Sequence, residues 1–247
     1  MEGSELELLL LSNSQVHGKP MFGHVASELR RFVKGRRVIF VPYALRDHIS
    51  YTSTVARALP ALRISSIDDE VDPIASFSDV TNSVVMVGGG NTFRLLKKLQ
   101  DTGLLNPLRT AVLAGLPYIG SSAGTVIASP TIMTTNDMPI VQPAGFDSLG
   151  LLTIQLNCHY IDKAPDETHM GESRQLRIEQ FQEENDVPVL GLREGSWLHV
   201  NASNAALGGA LEARFFEAGV LPAEMPAGSD LSGLLFASDS APNRPND

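Results

Sequence analysis

The sequence is short of several features, and each shortage excludes a class of protein. Its 247 residues contain one cysteine, Cys158, so no disulfide can form within the chain. No apolar run approaches the ~18 residues that a membrane-spanning helix needs. The first residues are acidic where a secretory signal would be basic, so we expect a cytoplasmic protein with no membrane partner.

Basic residues are also scarce. Lys and Arg number 19 against 28 Asp and Glu, which gives a formal net charge of −9. Because nucleic acids require a basic surface, none is expected as a partner. An acidic ligand would be repelled at long range, so a preference for one would require arginines placed close to it. The spacing of His, Cys, Asp and Glu matches no metal motif, and we predict neither metal nor cofactor.

What the chain does have is an ordinary apolar fraction of 43%, enough for a substantial core. Largely apolar runs such as 6–11, 37–41 and 83–87 alternate with segments of helical spacing. This predicts an α/β fold: a mostly parallel, doubly wound sheet with helices on both faces and small antiparallel strands near the C-terminus. We predict one catalytic domain over 1–222 and a polar tail over 223–247 that ends in disorder.

One stretch, residues 118–124, is a candidate catalytic centre and reads Y-I-G-S-S-A-G. An apolar strand runs into the small residues and a helix-like run follows, which is the context that a G-x-S-x-G nucleophile elbow requires. The pattern selects Ser122 as a nucleophile. The same pattern also occurs in plain turns, so other parts of the chain must supply a base and anion-binding groups.

A serine nucleophile needs a histidine base and a carboxylate that orients it. Among six histidines, His159 is favoured because it directly follows an apolar run at 151–156 that reads as a strand. Ligands bind at the carboxyl ends of such strands. Two carboxylates compete for the third place: Asp137, in the irregular segment after the nucleophile, and Glu194, at the end of a later predicted strand. Spacing does not choose between them.

A glycine run after another predicted strand is the candidate anion-binding loop. A tight turn alone would account for the glycines, but Gly89 and Gly90 also allow the close backbone approach that an oxyanion donor needs. Ala123, the residue after the nucleophile, would donate the second N–H. Asn91, which follows the glycines, is a candidate substrate contact.

With these residues collected, the chain resembles the peptidase E family of aspartyl dipeptidases over roughly residues 6–220. The motifs that carry the resemblance are Ser122, His159, G-G-G-N-T-F at 88–93, T-N-D-M-P-I at 135–140 and L-R-E-G at 192–195. It implies a flavodoxin-like sheet related to class I glutamine amidotransferases, with Ser122 as nucleophile and His159 as base. It also implies hydrolysis, without a cofactor, of dipeptides and slightly longer peptides that begin with an α-linked aspartate.

The resemblance extends to individual positions. It places Asp137 ahead of Glu194 as the carboxylate, because T-N-D-M-P matches the family closely. G-E-S-R, which ends at Arg174, matches the family's G-E-x-R and implies that this arginine pairs with the substrate's side-chain carboxylate, a role that suits a guanidinium. Ser121 stands where the family has an aromatic residue and Arg193 where it has proline, and either could reshape the pocket.

Two other functions fit the same residues. One is hydrolysis of β-aspartyl or other isopeptide links, as in the related cyanophycinase-like enzymes. The other is a binding protein that keeps the fold and has lost the chemistry. A small peptide is the expected ligand in the favoured reading, and the sequence predicts no oligomeric state.

Overall fold

The computed structural model describes residues 5–162 and 171–235. The strands are β1 (Glu7–Leu11), β2 (Arg37–Val41), β3 (Arg63–Ser66), β4 (Ser83–Val87), β5 (Tyr118–Ser121), β6 (Gln155–Tyr160), β7 (Val189–Arg193), β8 (Trp197–Asn201), β9 (Asn204–Gly208), β10 (Ala213–Phe216) and β11 (Ala223–Met225). The helices are α1 (Ala26–Val33), α2 (His48–Ala58), α3 (Pro73–Ser76), α4 (Thr92–Asp101), α5 (Leu105–Leu113), α6 (Ala123–Val126), α7 (Arg174–Glu184) and α8 (Ser232–Leu235).

The larger sheet has seven strands in the order β3-β2-β4-β5-β1-β8-β9. The first five are parallel to their neighbours, whereas β8 and β9 extend the sheet in antiparallel fashion. Parallel strands place their carboxyl ends at one edge, and β1, β4 and β5 lie side by side there. The predicted fold class is confirmed. The strand ends at which the sequence placed the nucleophile and the glycine run lie next to each other at one edge of the sheet.

Helices cover both faces of this sheet because its strands are apolar on both sides. In β1, Leu8 and Leu10 belong to the cluster formed with α4 and α5, whereas Leu9 and Leu11 belong to the cluster formed with α1 and α2. All four side chains are fully buried. A continuous leucine run is therefore what this central strand requires.

The smaller sheet has the order β11-β10-β7-β6, and only β6 and β7 are parallel. Its inner face joins the main core through Leu156 and Leu190. Its outer face packs against α7 through Tyr160 and Ile178. The sequence pattern did not separate these strands from the main sheet, because a buried strand has the same apolar pattern whichever of the two sheets it belongs to.

Two predicted boundaries differ from the structure. Residues 22–33 have the apolar spacing that predicts a helix, but the helix begins at Ala26, because Phe22 has a positive φ of 59° and the residues before Ala26 form turns. The polar tail expected from residue 223 packs on the domain as far as residue 235: β11 pairs with β10, and Leu231 and Leu235 are buried. The predicted disorder near the C-terminus lies outside the described residues.

Candidate active site

The predicted nucleophile lies at a sharp turn between β5 and α6. Ser122 has φ 51° and ψ −108°, a backbone conformation that non-glycine residues rarely adopt. Its N–H is held by the carbonyl of Leu11 at 3.0 Å. The turn closes only because Gly124 lacks a side chain, since a Cβ there would lie 2.2 Å from the carbonyl oxygen of Val87. The strained turn presents the Ser122 hydroxyl at the sheet edge.

The predicted base sits in a β-bulge rather than after a strand. His159 lies inside β6, which begins at Gln155, so the expected strand over 151–156 is placed too early. The register with β7 shifts between Cys158 and Tyr160, and His159 has φ 54°. The bulge turns Cys158 into the main core and Tyr160 into the outer cluster. It thereby re-aims the imidazole towards the elbow.

The imidazole joins the serine to a carboxylate. Ser122 Oγ lies 2.9 Å from His159 Nε2, and His159 Nδ1 lies 2.8 Å from Glu194 Oε1. An ionised carboxylate can only accept, so Nδ1 is the nitrogen that carries hydrogen and Nε2 is left to accept from the serine hydroxyl. This is the arrangement in which imidazole can take a proton from a nucleophile.

Asp137, the other candidate carboxylate, is engaged elsewhere. Its Oδ2 accepts hydrogen bonds from the N–H of Thr92 at 2.7 Å and from the Thr92 hydroxyl at 2.5 Å. Thr92 is the first residue of α4, where the helix has unpaired N–H groups and favours negative charge. The geometry favours Glu194 as the partner of His159, which reverses the order expected from the resemblance.

Two of the three predicted oxyanion donors adjoin the nucleophile. A Cβ on Gly89 would lie 3.1 Å from Ser122 Cβ, so this backbone passes directly beside the serine. Ala123 begins α6, and its N–H has no acceptor within that helix. Gly90, with φ 134°, packs against a different segment, since a Cβ there would lie 2.8 Å from the carbonyl oxygen of Ala44. The N–H of Gly89 also interacts with the hydroxyl of Tyr51, whose pKa burial raises to about 12.

Asn91 holds structure together on both sides of its amide. Its Oδ1 accepts from the N–H of Arg94 at 3.0 Å and so caps α4. Its Nδ2 donates to the carbonyl of Met138 at 2.8 Å and so fixes the loop that carries Asp137. These contacts show that Asn91 joins the start of α4 to that loop, and its contact with substrate stays a prediction.

Arg174, the predicted partner of an acidic substrate, begins α7 and lines a cavity of about 390 Å³. Its Nη1 donates to Asn136 Oδ1 at 2.7 Å, and Asn136 Nδ2 donates to the carbonyl of Cys158 at 2.9 Å, next to His159. Burial, and then the positive charge of Arg177, lower the pKa of Arg174. Asn136 therefore connects the cavity to the base through two hydrogen bonds.

Comparison with known proteins identifies the family. The model of peptidase family S51 matches residues 8–208. The chain belongs to peptidase family S51. Peptidase E of Streptomyces coelicolor is 50% identical over 233 residues, which cover 93% of this chain and 95% of that protein. A probable alpha-aspartyl dipeptidase of Drosophila melanogaster is 41% identical over 238 residues, which cover 94% of this chain and 98% of that protein.

Solved structures agree on the fold. A putative peptidase E from Listeria monocytogenes superposes with a TM-score of 0.60 at 23% identity, covering 83% of this chain and 98% of that one. A peptidase from an acI-B1 actinobacterium superposes with a TM-score of 0.65 at 14% identity, and the match covers 92% of this chain and 97% of that one. The predicted family is confirmed, and the protein is a serine peptidase of family S51.

Sequence reasoning missed two residues that hold this S51 site together. Ser12 Oγ accepts from the N–H of His159 at 3.0 Å and donates to the carbonyl of Leu192 at 2.8 Å. Asn13 Oδ1 accepts from the N–H of Gly195, the residue after Glu194, at 2.9 Å. Both follow β1 directly, so their place at the carboxyl end of a predicted strand was the signal that could have found them.

Neither of the two positions that were expected to differ from the family, Ser121 and Arg193, is among the residues that line the cavity. Ser121 is fully buried, and its hydroxyl has no hydrogen-bond partner among the described residues. The guanidinium of Arg193 binds Asp162 and Glu224. Cys158 is also buried, which raises the pKa of its thiol above the ordinary range and leaves it a core residue.

Within residues 5–162 and 171–235 of this S51 peptidase, no three His, Cys, Asp or Glu side chains are grouped as metal ligands. Over the same part of the chain, none of the helices has the length and apolar character needed to cross a membrane.

Proposed function

We propose that this protein is a dipeptidase that hydrolyses peptides with an N-terminal α-linked aspartate through a Ser122 acyl-enzyme. The observation that carries the proposal is the continuous contact from Ser122 Oγ to His159 and from His159 to Glu194, at 2.9 and 2.8 Å, on a strained elbow. The names of the relatives support the specificity: one is called a probable alpha-aspartyl dipeptidase and others peptidase E.

The reaction begins with proton transfer. His159 Nε2 takes the hydroxyl proton of Ser122 as Oγ attacks the carbonyl carbon of the aspartyl residue, and Glu194 stabilises the imidazolium that forms. The oxyanion accepts hydrogen bonds from the N–H groups of Ala123 and Gly89. Each such donor contributes ~10²–10³ in rate in known cases. The Tyr51 contact of Gly89 must yield to the oxyanion for this donor to act.

Two acyl transfers complete the cycle. The C–N bond breaks as His159 gives its proton to the leaving amine, and an ester of aspartate remains on Ser122. His159 then takes a proton from water, whose oxygen attacks the ester carbon. Aspartate leaves as Ser122 recovers its proton, and the enzyme returns to its starting state.

Arg174 supplies the proposed specificity. It borders the cavity, and its side-chain hydrogen-bond partner within the described part of the chain, Asn136, is a neutral amide. A guanidinium that is not committed to a carboxylate can pair with the aspartyl side chain and hold the scissile carbonyl over Ser122. Loss of this contact would reduce rate as well as affinity.

The deciding experiment is incubation of the purified protein with α-Asp-Leu, Glu-Leu, Asn-Leu and β-Asp-Leu, with release of free amino acids followed over time. We expect rapid cleavage of α-Asp-Leu alone. Cleavage of β-Asp-Leu instead would establish the isopeptidase alternative. No cleavage of any peptide, together with no labelling by a fluorophosphonate, would overturn the proposal in favour of a binding protein.

Two variants test the residue assignments. Ser122→Ala should lower kcat by roughly 10⁶, as in other serine triads. Ser121→Ala is the matched control, because this neighbouring serine is buried and its hydroxyl makes no hydrogen bond within the described part of the chain. It should keep near-normal activity. If Ser121→Ala were inactive and Ser122→Ala active, the elbow would have been assigned to the wrong serine.

A further inference from the structure

Among the described residues, two carboxylates line the cavity beside Arg174, which is a problem for a pocket that takes an acidic side chain. Its lining includes Asp162 and Glu172 as well as Arg174 and Arg177. An unpaired carboxylate near the substrate would repel it. Glu172 is matched within the lining, because its Oε2 lies 3.4 Å from Arg177 Nε. Asp162 has to be matched from elsewhere.

The partners of Asp162 are two arginines, Arg193 and Arg214, that are not among the residues lining the cavity. Arg193 Nε donates to Asp162 Oδ2 at 2.8 Å and Arg193 Nη2 donates to Oδ1 at 3.0 Å, a bidentate pair. Arg214 Nη1 adds a third bond to Oδ1 at 3.2 Å. Both oxygens are therefore engaged by guanidinium groups. The pKa of Asp162 is lowered, chiefly by its hydrogen bonds from Arg193, so this carboxylate is ionised at neutral pH.

Arg193 is itself fixed in place and shielded. Its guanidinium also binds the Glu224 carboxylate at 2.8 Å and the carbonyl of Glu212 at 2.9 Å, and it lies over the ring of Tyr160 at 5.5 Å. Its side chain is 12% exposed, and it is not among the residues that line the cavity. It therefore cannot be a direct substrate contact, and any effect on the substrate must pass through Asp162.

We propose that Arg193 is a specificity-determining positioning residue: it neutralises and orients Asp162, so that the cavity accepts a negatively charged side chain at Arg174. The local cluster has two arginines, Arg193 and Arg214, and two carboxylates, Asp162 and Glu224. Loss of Arg193 leaves one net negative charge in this cluster, and Asp162 keeps only the single bond from Arg214. The inference rests on the proposed function, because it assumes that the acidic substrate binds beside Arg174.

The test measures binding without turnover. Ser122→Ala protein is titrated with α-Asp-Leu by calorimetry, alone and with further substitutions. Adding Arg193→Gln should raise Kd about tenfold, which corresponds to about 1.4 kcal/mol. Adding Asp162→Asn together with Arg193→Gln should return Kd to within about twofold of the starting value, because the charge that needed a partner is gone. Arg57→Gln, an exposed arginine on α2, is the matched control and should leave Kd unchanged.

Restoration of binding separates charge compensation from a merely structural role. Both variants lack the ion pairs of Arg193, and the double variant also lacks the pair between Arg214 and Asp162, so both should lose thermal stability. If Arg193 only held the small sheet together, the double variant would bind no better than the single variant. That result, or an unchanged Kd for Arg193→Gln, would overturn the inference.

Turnover is a separate readout. The inference can hold in a protein that binds α-Asp-Leu in this pattern and yet, with Ser122 intact, fails to cleave it. In that outcome only the proposed function falls. The enzyme with Ser122 intact can also cleave α-Asp-Leu while Kd for this peptide is the same in the Arg193→Gln variant and in the double variant. In that outcome the proposed function stands and the inference falls.

Discussion

Replacement of Glu194 by glutamine is the sharpest test of the catalytic geometry. The substitution keeps the size of the side chain and removes the charge that faces His159 Nδ1 at 2.8 Å. Glutamine can present either an oxygen or an NH₂ group to the imidazole. In the second case the ring must adopt the tautomer that carries hydrogen on Nε2, and Nε2 can then no longer accept the proton of Ser122.

The size of the effect follows from exposure. In a buried triad the same change costs ~10⁴ in kcat. Here the side chains of His159 and Glu194 are 39% and 47% exposed, so water screens their interaction and can replace part of it. We therefore expect kcat for α-Asp-Leu to fall by ~10²–10³, less than the buried case, with KM little changed because neither group holds the substrate.

Asp137→Asn is the matched control for charge. The oxygen of asparagine can still accept from the N–H and hydroxyl of Thr92, so the start of α4 should keep its cap. We expect kcat to fall by less than about tenfold in this variant. Steady-state kinetics on both variants decide the matter. If kcat falls by the larger factor in Asp137→Asn and stays near the parent value in Glu194→Gln, the assignment of Glu194 as the partner of His159 is refuted.

Three further predictions concern backbone and burial. Ser122→Gly should abolish activity yet raise the free energy of unfolding by about 1 kcal/mol, because glycine tolerates φ 51°. Urea titrations measure this change, and a loss of stability would argue against strain at the elbow. Gly124→Ala should lower the melting temperature by an amount equivalent to about 3 kcal/mol or more, because its Cβ would meet the carbonyl of Val87. Gly145→Ala, with no atom within 4 Å of the added Cβ, should be neutral, and equal effects would contradict this contact. Burial lowers the pKa of His24 below 6.5. The unfolded chain therefore takes up the proton first, and stability should fall as pH drops below about 6.5. His24→Gln should make that fall smaller, and an unchanged pH slope in urea titrations would show that His24 is not its source.

The sequence alone was sufficient for features that local pattern controls. The strands over 37–41 and 83–87 have the predicted bounds, because each is one polar residue followed by four apolar ones and is closed by a proline or by glycines. The elbow was predictable for a similar reason: Gly124 and its small neighbours are needed within a few residues of Ser122 itself. Steric requirements that act over such short distances leave their mark directly in the order of residues.

Tertiary structure alone decided which side chains meet. His159 and Glu194 are 35 positions apart, and their contact depends on the bulge in β6 and its register with β7, which no local pattern encodes. The same holds for Arg193, whose partners lie on three separate segments. Apolar periodicity specifies which face of a strand is buried. It does not specify which distant carboxylate that strand will face, because that depends on how strands far apart in the sequence pair.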